Sequence, residues 1–183
     1  MTDPDDTLPG IPQITLEQLE AIVPHASPGR LQGFVDPINA AIREFGIQKV
    51  PEFLAQTAHE SEGFLYLREI WGPTPEQARY EGRADLGNNR PGDGSRYRGR
   101  GLIQVTGRAN YAACGDALNL PLLEQPELLE HPEGACRSAG WFWKERGLDA
   151  IDDFERMTRR INGGTNGLAD RFAYLGRARE ALA

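Results

Sequence analysis

The thirty positions from Gly72 to Gly101 hold seven glycines and three prolines, and helical apolar patterns lie on both sides of them. So many helix breakers exclude regular structure throughout the stretch. An irregular connection of this length is uncommon inside a compact domain unless it has a functional task. The expected fold class is therefore mainly α, a two-lobed helical domain with a small β element lining a substrate cleft. At 183 residues the chain is long enough for one well-cored domain, expected over 14–183, with 1–13 as a flexible N-terminal segment.

The helical flanks can be read residue by residue. Thr15 and Gln18 make a capping-box pattern ahead of Leu16, Leu19, Ile22 and Val23. From Ser27 to Phe45, Leu31, Phe34, Val35, Ile38, Ala41 and Ile42 keep a helical period, and Pro37 within it is expected to kink or split the helix. A third helix opens at Pro51 and ends at Gly63. Within the glycine-rich stretch Thr74–Tyr80 can form one short helix, and Leu102–Thr106 is the clearest strand-like run. Helices are expected again over 108–118, 122–130, 132–146, 148–160 and 167–182.

Composition removes several function classes. A net charge of −7 opposes a dedicated nucleic-acid surface, despite Arg90, Arg96, Arg98, Arg100 and Arg108 beside Tyr97 and Tyr111. No run approaches the roughly 18 apolar residues of a membrane span. The acidic, proline-bearing start MTDPDDTLPGIPQ is unlike a signal peptide, so synthesis in the cytoplasm and later release, by a holin-type or lysis-dependent route, is the expectation. Cys114 and Cys136 are expected as buried, reduced thiols, and His25, His59 and His131 complete no metal-ligand pattern with them.

Three segments offer chemistry. Glu60 closes the third helix at the edge of its apolar stripe, where partial desolvation favours a proton-carrying carboxyl. Glu69 follows nine positions later, beyond the Gly63 break, so the two can face each other over a cleft; Glu62 competes but points to solvent. In Tyr97–Tyr111, Gly99 and Gly101 permit close backbone approach. There Gln104 and Thr106 share a strand parity, and Asn110 lies in the first turn of the next helix. This mixture suits a sugar, although on the residues alone a tight hairpin before a helix is the plainer explanation. In Arg160–Gly167, Asn162 is either a ligand-facing amide or part of a helix C-cap and turn. Trp141 and Trp143, two apart on a helix, cannot both face a cleft, and core filling is the expectation.

Residues 54–174 resemble the catalytic domain of glycoside hydrolase family 19, the chitinase and phage-endolysin family, in its compact bacterial or prophage form. The resemblance rests on Ala55–Ser61, on Tyr97–Tyr111, and on Ile161–Gly164 with Asp170, Arg171 and Tyr174 downstream. It implies a lysozyme-like fold and inverting hydrolysis of β-1,4 bonds between N-acetylated amino sugars. Glu60 matches the general acid, Glu69 the general base, and Thr106 the hydroxyl that holds the attacking water. Gln104, Asn110 and Asn162 match substrate-binding positions, His59 and Tyr97 go with them, and Arg171 matches an arginine that organises acidic groups in the cleft. An inverting pair needs a separation of about 6.5–9.5 Å to seat a water. Two departures stand out. Plant members carry a glutamate near the Asn-Gly-Gly turn, where this chain has Thr165 and Asn166, and Ile70-Trp71-Gly72 differs from the usual surroundings of the second glutamate. No metal or cofactor is implied. The expected partner is a polysaccharide and the expected state a monomer without stable membrane insertion. A peptidoglycan-cutting endolysin of muramidase type is the leading expectation. A chitinase and a non-catalytic wall-binding protein are the alternatives.

Overall fold

The computed structural model describes residues 13–183, so the flexible segment expected before Ile14 lies almost wholly outside the described residues. Nine α-helices order the described chain: α1 (Leu16–Ile22), α2 (Pro28–Phe45), α3 (Val50–Glu60), α4 (Pro75–Ala78), α5 (Asp93–Arg96), α6 (Arg108–Leu118), α7 (Pro132–Glu145), α8 (Phe154–Asn162) and α9 (Leu168–Ala181). Local signals set many of the ends. Thr15 and Gln18 close a reciprocal capping box at α1, and Thr74 and Gln77 close another at α4. Asp153 caps α8 by accepting from the Arg156 N–H at 2.6 Å.

Two apolar cores form. The larger joins α1, α2, α3, α7, α8 and α9 through residues such as Leu31, Ile38, Phe53, Trp143, Met157 and Leu175. Trp143 meets Phe53 edge-on at 5.3 Å, and its indole N–H donates to Asp149. The smaller core gathers Tyr97, Val105, Tyr111, Cys114, Leu118, Leu122 and Leu129 around α6. Phe45 packs against both cores, so the two lobes meet beside α2 and α7. Cys114 and Cys136 are buried free thiols, and burial pushes Cys114 up to about 12, too high for ready thiolate chemistry.

Four expectations need correction. Pro37 does not split α2, which runs unbroken from Pro28 to Phe45. The carbonyl deprived of its partner belongs to Gly33, which is exposed and open to water. Leu102–Thr106 is a turn, not a strand: Gly101 and Gln104 both have positive φ, so the chain reverses and drives Leu102 and Ile103 into the larger core. Only isolated antiparallel bridges remain there, Arg68 to Arg100 and Arg100 to Val105. Over 122–130 only Pro126–Glu130 is helical, as a 3-10 turn. The helix expected over 148–160 breaks at 151–153 into a 3-10 turn and α8.

The glycine-rich stretch is tied down by buried charge. Asp93, 1% exposed, accepts from Nε and Nη2 of Arg108 at 2.8 and 2.7 Å and from the N–H groups of Asn89 and Arg90. Asn88 adds its side-chain oxygen to the Arg108 N–H at 2.8 Å. These bonds seat α5 and its loop against the start of α6. The Arg108 bond and the two N–H donors hold the Asp93 carboxyl below its ordinary range. Its contribution is therefore complete above the unfolded carboxylate pKa and is lost as pH falls through the lower folded value. Asp93→Ala leaves Arg108 without its countercharge and is expected to cost about 3 kcal/mol, seen as a fall of roughly 6–12 °C in Tm. The variant should also lose part of the acid-side decline below about pH 4. An unchanged melting midpoint contradicts this role for Asp93.

Candidate active site

Glu60 is the last residue of α3, and its side chain is 20% exposed. Its Oε1 accepts from Nη2 of Arg171 at 2.5 Å, while Oε2 has no hydrogen-bond partner among the described residues. Arg171 comes from α9 and is fully buried. Its Nη1 donates to Oε1 of Gln56, one turn before Glu60, and its Nε donates to the Asn166 carbonyl at 3.1 Å. Gln56 in turn donates to the Thr158 hydroxyl of α8 at 2.9 Å. Three helices are thus joined by one polar network beneath Glu60. Arg171 is buried beneath Glu60 and away from any substrate, where it positions that carboxylate.

His59 stands beside this network, half-buried. Its Nδ1 lies 2.7 Å from Oδ2 of Asp170, which requires a proton on Nδ1 when the carboxylate is ionised. The ring packs directly over Gly167, whose φ of +69° opens α9 and where any Cβ would collide with the imidazole. Glu62 has positive φ, is exposed and belongs to the turn after α3.

Glu69 rests on a separate support. Its N–H donates to the Gly99 carbonyl at 2.8 Å, and its Oε2 accepts from the Gly99 N–H at 3.2 Å. Oε1 accepts from Nε2 of Gln77 at 3.1 Å and lies 3.4 Å from the Tyr80 hydroxyl. Burial first, and then the adjacent Glu69 carboxylate, raise the Tyr80 phenol above its ordinary pKa, so it stays protonated as a donor. The same Gln77 accepts from the N–H groups of Gly72 and Thr74. Gln77 and Tyr80 are functional supports that sequence reasoning misses; the Thr74–Gln77 capping signal locates the helix but not what its side chains hold.

Gly99 is the meeting point. A Cβ there would lie 2.6 Å from Oε1 of Gln104 and 3.3 Å from Oγ1 of Thr106, so only glycine lets these side chains approach the backbone that holds Glu69. Gln104 donates to the Gly101 carbonyl and Thr106 to the Gln104 carbonyl, each at 2.9 Å, and Asn110 donates to the Thr106 carbonyl at 2.7 Å. These bonds hold the side chains while leaving the amide oxygens of Gln104 and Asn110 as acceptors. Gln104, Thr106 and Asn110 line a groove of about 500 Å³ with Ile103, Trp141 and Arg160. Trp141 therefore faces the groove while Trp143 fills the core. Asn162 ends α8, exposed, two residues past Arg160. Neither Glu60 nor Glu69 lines this groove.

Tyr97 is the clear correction among the candidate site residues. Its ring is 1% exposed, packs against Tyr111 at 5.2 Å, and sends its hydroxyl to the Leu123 carbonyl at 2.9 Å. It is a core residue of the smaller lobe. The arginines around it are likewise engaged internally, Arg108 with Asp93 and Arg100 with Glu130 and the Tyr111 hydroxyl. No helix of the described residues is long and apolar enough to cross a membrane.

Known proteins share this architecture. Residues 31–150 match the family model described as chitinase class I of glycosyl hydrolase family 19. A glycosyl hydrolase family 19 domain-containing protein of Haemophilus influenzae is 34% identical over 180 residues, covering 82% of this chain and 88% of that protein. An endochitinase of Arabidopsis thaliana is 38% identical over 119 residues, covering 64% of this chain and 40% of its own length, so the chain spans about two-fifths of that plant relative. Among solved structures, chitinase C from Streptomyces griseus HUT6037 superposes with a TM-score of 0.72 at 22% identity, covering 92% of both chains, a likeness of fold. A helical fold with two cores, an arginine-held glutamate at a helix end, and a family match over two-thirds of the chain have one common reading: this chain belongs to glycoside hydrolase family 19 and is a glycoside hydrolase.

Proposed function

We propose that this hydrolase cuts the β-1,4 glycan strand of peptidoglycan by single displacement, with Glu60 as acid and Glu69 as base. The observation that carries the mechanism is the pair of independent supports under the two carboxylates. Arg171 fixes one oxygen of Glu60 and leaves Oε2 to carry and deliver a proton to the departing glycosidic oxygen. Glu69 is held by Gly99, Gln77 and Tyr80 beside the Thr106 hydroxyl. Thr106 already donates to the Gln104 carbonyl, so its remaining lone pairs accept from a water that Glu69 deprotonates for attack on the opposite sugar face. The acceptor oxygens of Gln104 and Asn110 suit the N–H and hydroxyl groups of an N-acetylated sugar.

The peptidoglycan reading is supported by the open rim of the groove. The rim residues Asn110, Arg146 and Arg160 of the groove are exposed, which suits a strand carrying bulky branches. The names of the plant relatives support chitin as the second reading.

Glu60→Gln and Glu69→Gln are each expected to lower kcat on the order of 10²–10⁴-fold. Glu60→Gln should also lower stability by about 1–3 kcal/mol, because the amide keeps an acceptor for Arg171 but removes its countercharge. Initial rates together with thermal melts check both; substantial turnover in either variant removes that carboxylate from its role. For the substrate, purified enzyme is expected to clear a suspension of outer-membrane-permeabilised cells and to release muropeptides with hydrated reducing ends. Sugar release from colloidal chitin alone would make it a chitinase, anhydro ends would make it a transglycosylase, and binding without product would mark a non-catalytic fold.

A further inference from the structure

A second hollow of about 610 Å³ adjoins the Gln104–Asn110 groove, lined by Arg146, Arg156, Arg159 and Arg160 with Gly147 and Ile151. Arg146 and Arg160 border both, so the two form one continuous surface. In a chain of net charge −7, four arginines gather at this one hollow. Arg159 is paired with Glu155, one turn earlier on α8, at 2.8 Å. The acidic residues nearby are also engaged: Asp152 with Lys49 at 2.6 Å, Asp153 with the Arg156 N–H, and Asp149 with Trp143 and the N–H of Lys49. Glu145 is the one carboxylate in the lining of the first groove. Arg146, Arg156 and Arg160 are exposed and form no ion pair among the described residues; Arg146 lies over the Phe142 ring at 5.2 Å.

A neutral amino-sugar polymer offers hydroxyl and carbonyl acceptors but no countercharge to three unpaired guanidinium groups beside its groove. A glycan bearing carboxylates supplies it. We propose that Arg146, Arg156 and Arg160 form an anion-binding cradle that receives carboxylate substituents of the strand lying against Gln104 and Asn110. The inference rests on the peptidoglycan reading above and extends it to a second binding element. Guanidinium forks match carboxylates in a two-point geometry, which lysine would not reproduce. Because the cradle is exposed, each contact is modest and is screened by salt. In intact wall the lactyl carboxyl is tied up as the amide that carries the peptide, so the carboxylates offered are those of the peptide; amidase treatment frees the lactyl carboxylate in their place.

The test is Arg156→Glu, which reverses one exposed charge away from Gln104 and Thr106, beside Arg156→Lys as the conservative variant. Three substrates separate the sources: intact peptidoglycan, peptidoglycan stripped of peptides by an amidase, and a neutral N-acetylglucosamine oligomer. Arg156→Glu is expected to raise KM for intact peptidoglycan on the order of tenfold with kcat retained. The lysine variant should recover most of that loss, and added salt should weaken the wild type more than Arg156→Glu. A loss confined to the intact polymer assigns the cradle to peptide carboxylates alone, and a loss shared with the stripped glycan means that the lactyl carboxylate freed by the amidase is accepted as well. An equal loss on the neutral oligomer, or no loss on intact wall, overturns the cradle while leaving the glycosidase assignment in place. If the wild type leaves peptidoglycan uncut, titration with a soluble disaccharide-peptide decides the matter. Salt-sensitive binding weakened by Arg156→Glu supports the cradle although the substrate reading has failed, and its absence overturns both.

Discussion

The buried guanidinium of Arg171 is the constraint on which the rest depends. A cation with no exposed surface must be matched by acceptors and countercharge, since its transfer from water is otherwise prohibitive. Gln56 and Glu60 from α3 and the Asn166 carbonyl supply them. The demand for compensation therefore fixes α9 against α3, ties down Asn166 just before α9, and presents Glu60 with one oxygen engaged and the other without a partner among the described residues. The buried pair is here a device of position. Its geometric consequence, a carboxylate fixed at a helix end, matters more than its net stability.

The other half of the site follows a different logic. Glu69 lies on irregular backbone, where no helix or strand sets the direction of a side chain. Order comes from hydrogen bonds across the glycine-rich stretch: Gly99 with Glu69 in both directions, and Gln77 bridging Glu69, Gly72 and Thr74. The stretch is anchored from beneath by Asp93 and Arg108, so its many glycines do not leave it loose. Close backbone approach at Gly99 brings Glu69, Gln104 and Thr106 to one place. One carboxylate is thus positioned by packed helices and the other by a pinned loop.

How much of this is legible in the sequence depends on whether the signal is local. Helical phase puts Glu60 at the edge of an apolar stripe, and the structure has it there, half-shielded at the end of α3. Strand parity is not what brings Gln104 and Thr106 to one groove: a turn through Gly101 and a left-handed Gln104 replaces the strand. Apolar alternation cannot distinguish a short strand from a turn that plugs Leu102 and Ile103 into a core. Tyr97 misleads because an aromatic residue beside glycines looks the same in a cleft and in a small second core. The depth of Arg171, the supports of Glu69 and the arginine-lined hollow join residues far apart in the chain, so no spacing rule finds them.

If one carboxyl delivers a proton while a second activates water on the far side of the ring, the anomeric centre must invert. The direct measurement is proton NMR of a soluble β-1,4-linked N-acetylated oligosaccharide or glycan fragment during the first minutes of cleavage, before mutarotation mixes the products. The α-anomer should be the first reducing sugar formed. Initial formation of the β-anomer would mean retention, and would contradict the roles of Glu69 as base and Thr106 as holder of the attacking water.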